Sequence, residues 1–152
     1  MRFAAAVVVG SILASPAFAS GGLHCRADGE KASFEITAGV TRGMGSPVFS
    51  MHGELEIFED SVADDLKKTM FERDNLAQYW LSGDELNLVL YRERTDGPFG
   101  SIELTVQTTA RGEDDEGFFD GDYDLQVFEA IGEGSGGSKI IDVAGKVECS
   151  AE

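Results

Sequence analysis

The stretch Phe49-Ser50-Met51-His52-Gly53-Glu54-Leu55-Glu56-Ile57 decides the fold class. Phe49, Met51, Gly53, Leu55 and Ile57 fall on one face of an extended chain, and Ser50, His52, Glu54 and Glu56 on the other. Alternation of period two is the signature of a strand with one face buried. A helix would bring back its apolar residues every three or four positions.

The same period recurs on both sides. Upstream, Leu23–Ala27 and Ala32–Thr37 read as strands flanking Asp28-Gly29, a hairpin turn signal. Ala38 to Pro47 is expected to be a glycine-containing loop. Downstream, Leu76–Leu81 and Leu86–Glu93 flank Ser82-Gly83-Asp84-Glu85. Thr95-Asp96-Gly97-Pro98 then turns the chain into a strand carrying Ile102, Leu104 and Val106. An acidic loop is expected over Glu113 to Gly121, followed by a strand with Tyr123, Leu125 and Val127. A glycine-serine loop over Gly132 to Ser138 leads to a last strand with Ile141, Val143, Val147 and Cys149 on one face. Only Asp60 to Phe71 departs from this pattern. Ser61 followed by Asp64 resembles a helix start, and Val62, Leu66 and Met70 repeat at helical spacing, so one short helix is expected there. The expectation is all-β: an antiparallel barrel or sandwich of about eight strands.

The N-terminus reads as a secretory signal peptide, residues 1–19. Arg2 supplies the positive start, Phe3 to Leu13 is uncharged and apolar, and Ala17-Phe18-Ala19 fits a signal-peptidase site. The apolar run is well short of the roughly 20 residues of a membrane span. Residues 20–152 then suit a single domain, working in a periplasmic or secreted setting. Cys25 and Cys149 are the only two cysteines. In an oxidising compartment they are expected to form a disulfide, the alternative being two buried thiols. Such a bond would join the first and last strands and favour a closed barrel.

The net charge of −16 excludes phosphate backbones and anionic lipid as natural partners, because like charges repel. It favours basic proteins, cationic ligands and divalent metals, unless the charge serves solubility alone. Asp120, Asp122 and Asp124, with Asp114, Asp115 and Glu116 upstream, could supply oxygen ligands to calcium. The run lacks the EF-hand glycine and last glutamate, with Leu125 and Ile131 in those places. Alternate aspartates on a strand also simply face water together. His52, Glu54 and Glu56 line one strand face, a transition-metal candidate weighed against a solvated face. Carboxylate pairs for sugar hydrolysis need a cleft that strand spacing does not supply. The Gly132–Ser138 run lacks the following helix of a phosphate cradle. No G-x-S-x-G or S-x-x-K motif is present.

Of the neighbours Tyr79 and Trp80, one is expected to face outward, where an aromatic can anchor a partner. Met44, between Gly43 and Gly45, is a candidate binding tip or a plain connection. The build resembles small exported β-barrels such as lysozyme inhibitors and lipid carriers. That is a resemblance of architecture from which no residue is carried over. The function expected is non-catalytic binding without a resident cofactor: an interaction protein whose Asp114, Asp115, Glu116, Trp80 and Met44 meet a basic partner. The alternative is a carrier of a small apolar ligand, for which inward Gly53 and Gly145 would leave room, and a calcium-binding protein is third.

Overall fold

Alternating sequence becomes alternating burial along almost every strand. The computed structural model describes residues 20–41, 48–112, 116–132 and 137–152. Among these, nine antiparallel strands form a nearly closed barrel. They are β1 (Ser20–Asp28), β2 (Ala32–Thr41), β3 (Val48–Ile57), β4 (Lys68–Glu72), β5 (Leu76–Ser82), β6 (Glu85–Glu93), β7 (Gly100–Ala110), β8 (Phe118–Ile131) and β9 (Gly137–Ala151). One helix among the described residues, α1 (Asp64–Lys67), precedes β4, and a 3-10 turn over Arg73–Asn75 separates β4 from β5.

The strand order is β4-β3-β2-β1-β9-β8-β7-β6-β5. Neighbours are consecutive in the chain except where β1 meets β9. There Cys25 stands opposite Cys149, and their sulfurs form the expected disulfide across 124 positions of sequence.

Side chains fill the interior. Phe34 and Tyr123 meet edge to face across it, ring centroids 5.1 Å apart. Leu86, Leu88, Leu90, Ile102, Leu104, Val106, Leu125 and Val127 are shut off from solvent. Each such side chain contributes about 1.5–3 kcal/mol relative to exposure, which is what drives the sheet to curl around them.

The structure corrects four expectations. First, β2 continues through Ala38 and Val40, both buried, to Thr41, so Ala38 to Thr41 belong to a strand. Second, Phe49 points outward. The β2–β3 register shifts between Thr37 and Gly39, and Ser50 has a φ of 49°. The extra residue puts Val48 inside and lays Phe49 over Gly39, where a Cβ would be 2.4 Å from the ring.

Third, the one short helix expected is present, but it covers only Asp64–Lys67 of the 60–71 stretch. Its cap is Ala63, which has no side-chain cap and donates its amide to Glu129 Oε1 at 3.0 Å. Val62 and Leu66 are buried as the pattern implied, but Met70 is exposed and Phe71 fully buried. Lys68–Glu72 pairs with β3, because the open edge of β3 offers five residues a ladder that a lone helical turn cannot match. This is the ninth strand. Fourth, β8 starts at Phe118 and β9 at Gly137, so Asp120 and Gly137 belong to strands rather than to loops.

Barrel closure is incomplete between β4 and β5, which share no ladder. Side chains bridge this seam: the Arg92 guanidinium donates to the Met70 carbonyl and Asn75 Nδ2 to the Tyr91 carbonyl (3.3 Å), while Arg73 Nε ties the 3-10 turn to the Val48 carbonyl of β3 (2.9 Å). Beside it Arg94 clamps Asp65 with bonds of 2.6 and 3.1 Å. No helix among the described residues is long and apolar enough to cross a membrane.

Candidate functional site

Small residues face the interior without leaving it empty. A Cβ on Gly145 would stand 2.7 Å from the Tyr123 ring, and one on Gly53 would touch Phe71 and Ile36 at 3.3 and 3.4 Å. The space that these glycines free is occupied by protein. Recognition chemistry is therefore sought on the outer surface, where the unburied half of each strand displays its polar residues.

The outer surface has one organising property. Every lysine and arginine among the described residues already bonds to this chain. Arg26 pairs with Asp28 (2.7 Å), Lys31 with Glu59 (3.0 Å), Lys67 with Asp64 (3.0 Å), Lys68 with Glu56 (3.1 Å) and Lys146 with Asp122 (2.6 Å). Arg111 holds Asp120 and Glu148 at 2.7 and 3.1 Å, and Arg94 holds Asp65. Arg73, Arg92 and Lys139 donate to main-chain carbonyls. Carboxylates outnumber cations, so a surplus remains. Among the described residues, the side chains of Glu103, Asp124, Asp84 and Glu85 make no hydrogen bond or ion pair.

That surplus is arranged by the strand registers. On β7, β8 and β9, Glu103 faces Gln126 and Gln126 faces Asp142, with Asp124 opposite Thr105 in the next row. Glu103, Asp124 and Asp142 thereby line one shallow depression on the outside of the barrel. Asp142 accepts a bond from the neutral amide of Gln126 at 2.9 Å. Asp124 is the diagonal neighbour of both others, about 7–8 Å away, and Glu103 and Asp142 stand two strands, roughly 10 Å, apart, so their fields add outside the sheet.

Asp120, Asp122 and Asp124 do share the outer face of β8. They do not converge. Arg111 grips Asp120 with two bonds of 2.7 Å, which hold its carboxyl below the usual carboxylate range, and Lys146 takes Asp122. Among the described residues, no group of three or more His, Cys, Asp or Glu could hold a metal ion. Glu116 lies in the turn before β8, while Asp114, Asp115 and Met44 lie outside the described residues.

His52, Glu54 and Glu56 share the outer face of β3 as expected, with His52 Nε2 4.0 Å from Glu54 and Glu56 tied to Lys68. The sequence gives no sign of their neighbour. Thr37 pairs with both His24 and His52, so the two histidines flank it in one row, and His24 Nε2 lies 3.0 Å from Glu35. Only the antiparallel register could bring them together.

Tyr79 and Trp80 separate as their adjacency requires. Tyr79 turns inward, where burial raises its phenol and leaves Oη with no hydrogen-bond partner. Trp80 stands 57% exposed on the outside of β5. No protein-family model matches the chain, and neither a curated protein nor a solved structure matches it.

Proposed function

We propose that this is an exported, non-catalytic binding protein whose outer surface docks onto a basic protein, for instance as its inhibitor. The observation that carries the reading is the internal use of every described cation while carboxylates such as Glu103 and Asp124 stand unpaired. A partner that brings lysine or arginine meets charge already held in place by a stiff sheet, and no intramolecular pair must break first. The signal-peptide-like pattern of residues 1–19 speaks for export, and the Cys25–Cys149 disulfide is compatible with an oxidising compartment. The carboxylates on the outer face are unsuited to lipid contact, since a membrane barrel needs an apolar outward band. The filled interior weighs against the carrier reading.

Association of the protein from Ser20 onward with basic envelope proteins tests this by stopped-flow or surface binding across a salt series. Glu103→Gln, Asp124→Asn and Asp142→Asn combined should slow association and reduce its salt dependence, because steering acts on the encounter rate. Rates indifferent to both the three changes and salt would remove the reading.

A further inference from the structure

We propose that the free edge of β5 is a docking edge that accepts an extended, lysine- or arginine-flanked segment of a partner protein as an added strand. This deepens the basic-partner reading above and rests on it. The barrel has two edges at its seam, and they are treated differently. β4 is short, Lys68-Thr69-Met70-Phe71-Glu72, carries a charge at each end, and has its Met70 carbonyl already occupied by Arg92. Those are the devices by which proteins keep a sheet edge from recruiting another strand.

β5 has neither those charges nor, among the described residues, an edge carbonyl taken by another side chain, and its one register shift against β6 is confined to the Leu76–Gln78 end. Leu76-Ala77-Gln78-Tyr79-Trp80-Leu81-Ser82 contains no charge and no proline in a chain that is 26% charged. Its pairing with β6 uses one side of its backbone only. Ser82 and Glu85 close a two-residue turn as a hydrogen-bonded pair, so alternation directs the Ser82, Trp80 and Gln78 backbone groups toward β6. The N–H and C=O groups of Leu81 and Tyr79 are thereby directed toward the open edge. Among the described residues, no strand pairs with that side.

Two further features say what fits. Trp80, with Gln78, Asn87 and Val89, borders a shallow depression on the outer face, where alternate side chains of an added strand would rest. Asp74 precedes the strand and Asp84 follows it, each without an ion pair among the described residues. An incoming segment thus meets a neutral, aromatic middle and a carboxylate at each end. A second copy of this chain would bring its own Asp74 and Asp84 against them, and a net charge of −16 besides. Charge complementarity selects a segment apolar at alternate positions with lysine or arginine on either side.

The probe is a labelled peptide of about ten residues, alternating valine and threonine between two pairs of lysines, which spans a strand of this length. Trp80 is the only tryptophan in the chain, so its fluorescence reports contact at this edge directly. Binding should perturb that emission and protect the Tyr79 and Leu81 amides from hydrogen exchange. N-methylating alternate amides of the peptide should weaken it at least about tenfold, since this deletes main-chain donors without touching the protein. Trp80→Thr and glutamate-ended peptides should each cost a similar factor. Failure to bind, or binding indifferent to N-methylation, overturns the edge proposal. If basic proteins still associate in the salt-dependent manner above, the broader reading survives that failure; if they do not, both fall. Sedimentation of the wild type as a dimer that Trp80→Thr dissociates would assign the edge to a second copy and overturn the proposal likewise.

Discussion

The ring of Tyr123 on β8 lies over Gly145, its ladder partner on β9, in the volume that a side chain at 145 would need. The hydroxyl of that same tyrosine reaches toward the Ala32 carbonyl, 3.5 Å away, so the ring is held from both sides. Gly145→Val should therefore destabilise the barrel by about 1–3 kcal/mol, the usual cost of overpacking a filled core. Gly121→Ala should cost more, because its Cβ would sit 1.9 Å from the Gln107 carbonyl oxygen, on backbone that cannot step aside. Gly22→Ala, with nothing within 4 Å, is the control and should change stability little. Urea unfolding of the three variants checks the ranking; equal effects at all three positions would contradict it.

Cys25 and Cys149 close nearly the whole domain, 124 positions apart. The chain-entropy model assigns a loop of that size about 5 kcal/mol. Cys25→Ser with Cys149→Ser should lower the melting temperature on the order of 10–20 °C. Non-reducing peptide mapping should recover the two cysteine peptides linked. Quantitative thiol labelling of protein purified without reductant would defeat the expectation.

The Arg94–Asp65 clamp makes stability depend on pH. The hydrogen bond from Arg94 is the main reason that the Asp65 carboxyl sits below its ordinary range, with partial desolvation opposing it. A carboxylate depressed in the folded state contributes stability above its unfolded pKa, near 3.9, and loses it as pH falls through the folded value. Asp120, held by Arg111, behaves alike. Asp65→Asn and Asp120→Asn together should reduce stability at neutral pH slightly and flatten the loss on acidification below about pH 4. A denaturation series over that range that is no flatter in the double variant would contradict this.

The acidic run Asp114-Asp115-Glu116 offers a comparison for the charge-steering reading. Neutralising Asp114, Asp115 and Glu116 should slow association with a basic protein and leave melting nearly unchanged, since most substitutions of solvent-facing charge alter stability little. Loss of a calcium-induced rise in melting temperature on the same changes would instead support a calcium site. Unchanged association would assign these charges to solubility.

Export has its own check. Intact-mass measurement of protein from the cell envelope should begin at Ser20, the residue that opens β1. A species beginning at Met1 in the cytoplasm would refute it.

Much of this was legible in the residues. The inward faces of β2, β6, β7, β8 and β9 follow the alternation of Ala32 to Ile36, Leu86 to Leu90, Ile102 to Val106, Tyr123 to Val127 and Val143 to Cys149. Turns fell where Asp28-Gly29 and Gly83-Asp84 place them, Gly83 taking a φ of 60°. The misreadings occur where tertiary contact overrides local pattern. Lys68–Glu72 has an ambiguous period and is settled by the edge of β3. Phe49 is turned outward by a bulge that no residue type announces.

The sequence by itself determined the period-two core, the one cysteine pair and the excess of carboxylates, because each is a property of residue type and local spacing. Only the tertiary structure decided that every described cation would be used within the chain, that His24 and His52 would share a row, and that β5 would be left as the unguarded edge. Those outcomes depend on which strands become neighbours and in what register. Registers are set by burying all the inward faces at once, which no single stretch of the chain encodes.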